Sequence, residues 1–249
     1  MLSENDKEIL SKLQIDNPAA YDMFIRRENE HRELVKAGCH DLRNIVTLIS
    51  GSYQLLCLTH SELKCDSRFM QMGEDIQSLV KAFNDIASFR YASTLKPSPV
   101  ALSSVADILN EYIDARYPHD KEYIHIDLSG TDETIALDFS RISCAVCCLI
   151  NNAIEASDFI ANPVSMVLVN IGTELSNNQK YLTFDVTNMG SAPAADIADS
   201  MLKPFHSDKS GHLGLGLAIA NETAAAMNGT LEWTHQDGIT CFTLSVPYL

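Results

Sequence analysis

The sequence is short of positive charge. Its 249 residues carry 18 Lys and Arg against 33 Asp and Glu, giving a net charge of −15, and no stretch gathers basic residues. A nucleic-acid binder needs a basic face to meet phosphates, so no nucleic-acid partner is expected. An acidic surface is equally unsuited to an anionic membrane. Long apolar runs are also missing. The run Ile142–Ile150 falls far short of the ~18 apolar residues of a membrane helix, so no membrane span is expected. There is no internal repeat and no low-complexity tract. The first residues do not read as a signal peptide. The seven cysteines are odd in number, so they read as free thiols in a reducing cytoplasm rather than a disulfide framework. Cys144 and Cys147 have CxxC spacing, but no second Cys or His pair stands at zinc spacing. They are read as small buried residues.

What is present is helical periodicity first and strand alternation later. Residues 1–28 are polar and helical in part. A long helix is predicted from about Asn29 to His60, with Leu42, Ile45, Val46, Ile49, Tyr53 and Leu56 on one face. A second helix is predicted over Ser67–Ala92, with Phe69, Met72, Ile76, Leu79, Val80, Phe83 and Ile86 on its apolar face. The short polar connection Ser61–Asp66 makes them an antiparallel hairpin. One hairpin cannot bury both stripes, so two copies are expected to pair as a four-helix bundle, a homodimer. Lys96-Pro97-Ser98-Pro99 reads as a linker.

Beyond it the pattern is α+β. Helices are predicted over Ser103–Tyr117, Asp138–Asp158 and Gly214–Met227, the last ended by Asn228-Gly229. Strands are predicted over Tyr123–Leu128, Val164–Ile171, Tyr181–Thr187, Thr230–His235 and Cys241–Val246. The last two form a hairpin around Asp237-Gly238. A loop-rich stretch fills Met189–Leu213. The domains are thus 1–28, an N-terminal extension; 29–95, the hairpin; and 100–249, a helices-on-mixed-sheet domain.

Three phrases carry the chemistry. The first is Cys39-His40-Asp41-Leu42-Arg43-Asn44. At about 100° per residue, His40 falls about 160° from Leu42, opposite the apolar stripe. It is therefore expected to be exposed, with Asp41 beside it and Asn44 one turn on. An exposed imidazole accepts a phosphoryl group when a neighbour takes its proton or fixes its tautomer. Asp41 suits that role, and Asn44 suits placing a water for hydrolysis. An ordinary histidine on a solvated helix has the same local pattern, so the phrase needs the other two.

The second phrase is Asn151-Asn152-Ala153-Ile154-Glu155, on a helix whose other face is apolar. The Asn152 carboxamide is a candidate Mg²⁺ or water ligand beside phosphates. Next, Val186-Thr187-Asn188-Met189-Gly190 ends a strand. Asn188 is a candidate acceptor for an adenine amino group, and Gly190 lets a base approach the backbone. Lys203-Pro204-Phe205-His206-Ser207-Asp208-Lys209 reads as a lid with Lys209 near phosphate. The third phrase, Gly211 and then Gly214-Leu215-Gly216-Leu217, opens a helix whose free N–H groups and dipole favour phosphate.

Taken in this order, the motifs resemble the catalytic core of bacterial sensor histidine kinases, over about residues 29–249. His40–Asn44 resemble that family's phosphoacceptor box and Asn151–Ser157 its N box. Val186–Pro193 resemble its first glycine box, Pro204–Lys209 its F box and Gly214–Ile219 its second glycine box. The resemblance implies a Bergerat-fold (GHKL-type) ATP-binding domain, with ATP and Mg²⁺ at Asn151, Asn152, Asn188, Gly190, Lys209, Gly211, Gly214, Leu215 and Gly216. It also implies phosphorylation of His40 and transfer to an aspartate of a response regulator. Residues 1–28 are too short for a sensor domain, so a separate sensor protein is expected. The sequence departs from the family pattern at Ile45, where Pro is common. It also departs at Cys148 and Asn188, where a polar residue and Asp are usual. Ala192 and His212 stand where glycines are usual. These departures open an alternative: a histidine phosphotransferase whose kinase-like domain no longer binds ATP.

Overall fold

The computed structural model describes residues 4–92, 94–129, 133–157, 166–198, 200–207 and 212–248. Two compact units divide the chain, Met1–Asn84 and Asp85–Leu249.

The first unit is helical. α1 spans Glu4–Asp16 and α2 spans Pro18–Thr59. The long helix therefore starts eleven residues before the predicted Asn29. Its start is set by capping and not by apolar spacing. The Asn17 side chain accepts from Ala20 N at 3.1 Å, and Pro18 sits where a helix needs no N–H. A 3₁₀ turn over Ser61–Cys65 leads to α3, Ser67–Tyr91, whose residues from Asp85 on are counted with the second unit. Asp66 Oδ1 accepts from Arg68 N at 2.8 Å and Phe69 N at 3.2 Å, capping it. Tyr53 stacks on Phe69 with ring centroids 4.7 Å apart. Val46 and Ile76 are buried, but Leu42, Ile45 and Ile49 remain 49%, 53% and 46% exposed. The apolar stripe read from the sequence is real, and one chain covers it only in part.

The second unit is α+β. β1 (Ser98–Ala101) pairs antiparallel with β3 (Thr134–Leu137). The predicted linker thus runs into a strand, and β3 was not predicted. Both strands have four residues, too few to show alternation, and the Pro99 ring suits an edge strand. The main sheet has the order β2-β4-β5-β7-β6, with β2 (Ile124–Leu128), β4 (Val167–Ser176), β5 (Gln179–Met189), β6 (Thr230–Gln236) and β7 (Ile239–Tyr248). β2 runs parallel to β4 and the other pairs are antiparallel, so the sheet is mixed. Asp237 and Gly238 both have positive φ, 53° and 77°, as the Asp-Gly hairpin signal requires.

Helices α4 (Leu102–Arg116), α5 (Phe139–Ala156) and α7 (Gly216–Ala226) pack on the sheet; a short α6 covers Ala195–Ala198. α5 buries Ile142, Val146, Leu149 and Ile150 against Val169, Phe184 and Val186 from the strands. These are the face predicted for it. Asp138 caps α5 by accepting from Arg141 N at 3.1 Å, and its other oxygen takes Lys96 N. Arg141 Nε donates to Thr94 O, and its guanidinium lies over the Tyr91 ring. All seven cysteines are free. Among the described residues no helix is long and apolar enough to cross a membrane.

Asp138→Ala removes a buried acceptor shared by two main-chain N–H groups. We expect a loss of about 2 kcal/mol in urea unfolding of the second unit, against less than about 0.5 for an exposed site such as Glu232→Ala.

Candidate functional site

On α2, His40 presents its ring to solvent, its side chain 68% exposed. Asp41 Oδ1 and Asn44 Nδ2 each lie 3.3 Å from the same nitrogen, His40 Nδ1. These neighbours ask for different tautomers. Asp41 accepts, so it needs the proton on Nδ1 and leaves the lone pair on Nε2. Asn44 donates, so it needs Nδ1 bare and puts the proton on Nε2. The Asp41 arrangement makes Nε2 a nucleophile directed away from the helix; the Asn44 arrangement withdraws it. The predicted acceptor, base and amide are therefore together, and they compete for one atom.

In the second unit the site begins with strand register. Leu182, Phe184 and Val186 of β5 point under the helices and are fully buried. Two residues on, Asn188 takes the same face and is 1% exposed. Its Nδ2 donates to Met189 O over a long 3.4 Å, and its Oδ1 has no partner. A buried acceptor left bare costs roughly 1–3 kcal/mol, so a donor brought to Asn188 Oδ1 would relieve that cost. Gly190 follows, and a Cβ there would meet Ala156 O at 2.8 Å and Asn188 Nδ2 at 3.4 Å. The glycine keeps the end of β5 close beneath the end of α5. Gly190 N donates to Gly238 O at 2.9 Å, tying this segment to the β6–β7 turn.

The sequence reading missed the polar row beside Asn188. Thr240 on β7 is its register partner and is also buried. His235 on β6 is in turn opposite Thr240, with Nδ1 2.9 Å from Thr240 Oγ1. The signal lay in the alternation of the hairpin strands, which puts 240 and 235 on the helix-facing side.

At the other end, the glycine-rich helix start forms as predicted. Gly214 has φ 64°, and a Cβ on it would lie 2.4 Å from His206 O. Phe205 N donates to Gly214 O at 3.1 Å, so the Pro204-Phe205-His206 segment folds back on the helix start. The Leu215 side chain is buried, so it offers the site its main chain. Gly216 opens α7, and a Cβ there would touch Cys148 Cβ at 3.9 Å and otherwise meet open space. The first-turn N–H groups of α7 have no acceptor inside the helix and favour an anion. Lys209 and Gly211, both predicted for the phosphate end, lie outside the described residues.

α5 joins the two ends. Asn152 is half-buried on it. Asn151 has a further engagement: its Oδ1 accepts from Tyr112 OH at 2.8 Å and Tyr117 OH at 2.6 Å, tying α5 to α4. Burial pushes both phenols up, and the Asn151 bond offsets this in part at Tyr112. Cys148, where the family pattern has a polar residue, is held up by its hydrogen bond to Cys144 and by burial. Cys147 is raised to about 12, chiefly by burial. Cys147 and Cys148 are thus neutral packing groups, whereas Cys144, read with Cys147 as a small buried residue, is drawn down to about 6, chiefly by its hydrogen bond with Cys148. Among the described residues no group of three or more His, Cys, Asp and Glu side chains is placed to hold a metal ion. His212 Nδ1 lies 3.6 Å from Glu155 Oε2, putting a carboxylate beside the approach to α7.

The unpaired Asn188 Oδ1, the close approach at Gly190 and the open helix start at Gly216 are together on the face of the sheet that carries the helices. Residues 138–249 match the family of histidine kinase-, DNA gyrase B- and HSP90-like ATPases. Among solved structures, full-length ShkA in complex with AMPPNP superposes with a TM-score of 0.68 at 21% identity, over 87% of this chain and 46% of that one. The Acinetobacter baumannii histidine kinase AdeS gives 0.53 at 20% identity, over 84% of this chain and 97% of that one. The catalytic domain of histidine kinase ThkA gives 0.51 at 17%, over 61% and 96%. No curated protein matches the sequence. The chain spans less than half the length of the ShkA chain. Residues 138–249 thus form a GHKL-type ATPase domain, and the chain has the fold of a histidine kinase catalytic core.

Tyr112→Phe and Tyr117→Phe should each cost about 1 kcal/mol in urea unfolding. The double variant should cost more than their sum, because Asn151 Oδ1 then loses both donors.

Proposed function

We propose that the chain is a two-component histidine kinase: it takes the γ-phosphoryl group of ATP onto His40 and passes it to an aspartate on a response regulator. The observation that carries this reading is the exposed His40 ring held at Nδ1 by Asp41, in a chain whose other unit is a GHKL-type ATPase domain.

Asp41 keeps the Nδ1 proton and directs the Nε2 lone pair outward, so Nε2 is the atom that takes the phosphoryl group. Charge builds on the ring as the bond forms, and the Asp41 carboxylate stabilises it. Asn44, one turn on, holds the alternative tautomer, and in the reverse direction it places water at the phosphohistidine for phosphatase activity. At the other unit Asn188 and Gly190 receive the base. Gly214, Leu215 and Gly216 present main-chain N–H groups to phosphate. The family resemblance assigns Lys209 and Gly211 to the phosphates as well. Mg²⁺, when bound, neutralises phosphate charge; Asn152 would supply a carboxamide oxygen, with Asn151 behind it on α5. Pairing of the Leu42, Ile45 and Ile49 stripes between two copies makes the active form a homodimer. The place of action is the cytoplasm.

A second reading has a specific observation behind it. Glu155, paired with His212, puts negative charge where phosphates would lie, and Cys148 replaces a polar group on the same helix. In this reading the chain is a histidine phosphotransferase that carries phosphate between regulators without binding ATP.

Incubation with Mg²⁺ and γ-labelled ATP decides between them. The kinase reading expects acid-labile, alkali-stable label that is absent from His40→Gln. No label from ATP, with label still accepted from a phosphorylated regulator, selects the phosphotransferase. Glu155→Gln removes one charge near the phosphate end and should tighten MgATP about three- to tenfold by calorimetry. An unchanged affinity would place Glu155 away from the phosphates.

A further inference from the structure

Asn188 is a carboxamide in a buried position with its acceptor bare and its donor weakly used. That chemistry has a consequence for which base the pocket reads. Adenine offers a donor at its 6-amino group and an acceptor at N1. Guanine offers the reverse pair, an acceptor at O6 and a donor at N1–H. A carboxamide carries one group of each kind, side by side.

With Oδ1 toward position 6, Asn188 accepts from the adenine amino group while Nδ2 donates to N1. Turned by half a rotation about χ2, it donates from Nδ2 to O6 and accepts N1–H on Oδ1. The terminal torsion of Asn is broad and roughly two-fold, so both settings are open to it. The turn costs the bond to Met189 O, which at 3.4 Å is already long. A carboxylate at this position has no donor, so in either setting it would turn negative charge on a lone pair, N1 of adenine or O6 of guanine. Thr240, the register partner of Asn188, is held by His235 and adds no fixed charge to the row.

We propose that Asn188 makes the base pocket read the 6-position and N1 of a purine without regard to their polarity, so the site takes guanine nucleotides alongside adenine nucleotides. The proposal rests on the nucleotide-binding reading above and names its substrate class.

The test is calorimetry on the full wild-type chain with the Mg²⁺ complexes of ATP, GTP, ITP and CTP. The expected result is that ATP and at least one of GTP and ITP bind within about tenfold of each other, with CTP at least tenfold weaker than both. ITP counts equally because it keeps the 6-oxo edge without the 2-amino group. Asn188→Asp should then weaken ATP and ITP to a similar degree, since each loses the bond that Nδ2 donates. ATP binding with GTP and ITP both more than a hundredfold weaker overturns the proposal and leaves nucleotide binding intact. CTP equal to ATP also overturns it, since the base is then not read at all. No binding of any nucleotide overturns the ATP-binding reading and this proposal together. The wild-type ratios decide these cases even if Asn188→Asp, which buries a charge, fails to fold.

Discussion

The candidate nucleotide site depends on the register of β5. Side chains on a strand alternate with a period of two, so the face that buries Leu182, Phe184 and Val186 must also bury residue 188. The apolar packing of three residues thus drives a polar fourth into a dry environment. The Asn188 side chain is held there chiefly by its neighbours, its one side-chain bond being the long one to Met189 O. A slip of one residue would turn the core outward and the carboxamide into solvent. Core packing and site placement are therefore one constraint.

α5 carries the complementary constraint. Its apolar side fixes it to the sheet, and its remaining faces distribute the rest of the site. Asn151 faces α4 through two tyrosines, Cys148 faces the opening of α7, and the main chain at Ala156 roofs Gly190. A helix tied on three sides cannot shift without cost. Its Asp138 cap also takes the Lys96 main chain, so the start of the helix is set by the segment that enters the domain. Preorganisation of this kind lowers the ordering cost that a ligand must meet on binding.

Much of this was legible in the sequence because it is local. Helical spacing gave α3, α5 and α7. Alternation gave β2, β5 and β7. Asp237-Gly238 fixed a hairpin, and His40 opposite Leu42 gave exposure. What escaped was either too short or not local. β1 and β3 hold four residues each and become strands by pairing with one another. The start of α2 lies in a cap that precedes any apolar repeat. The Tyr112–Tyr117–Asn151 knot, the Glu155–His212 pair and the His235–Thr240–Asn188 row join residues that only the folded sheet and helix layer bring together. Individual motifs named residues, but the tautomer conflict at His40 required distances.

The bond from Gly190 N to Gly238 O makes the β6–β7 turn more than a chain reversal. It works as a splint. The strap of main chain that would lie against a base is suspended between the roof of α5 and the tip of a hairpin distant in sequence, so its slack is set by a turn that touches no ligand. Drift among relatives in the length or glycine content of that turn would then retune the pocket without altering any residue that lines it.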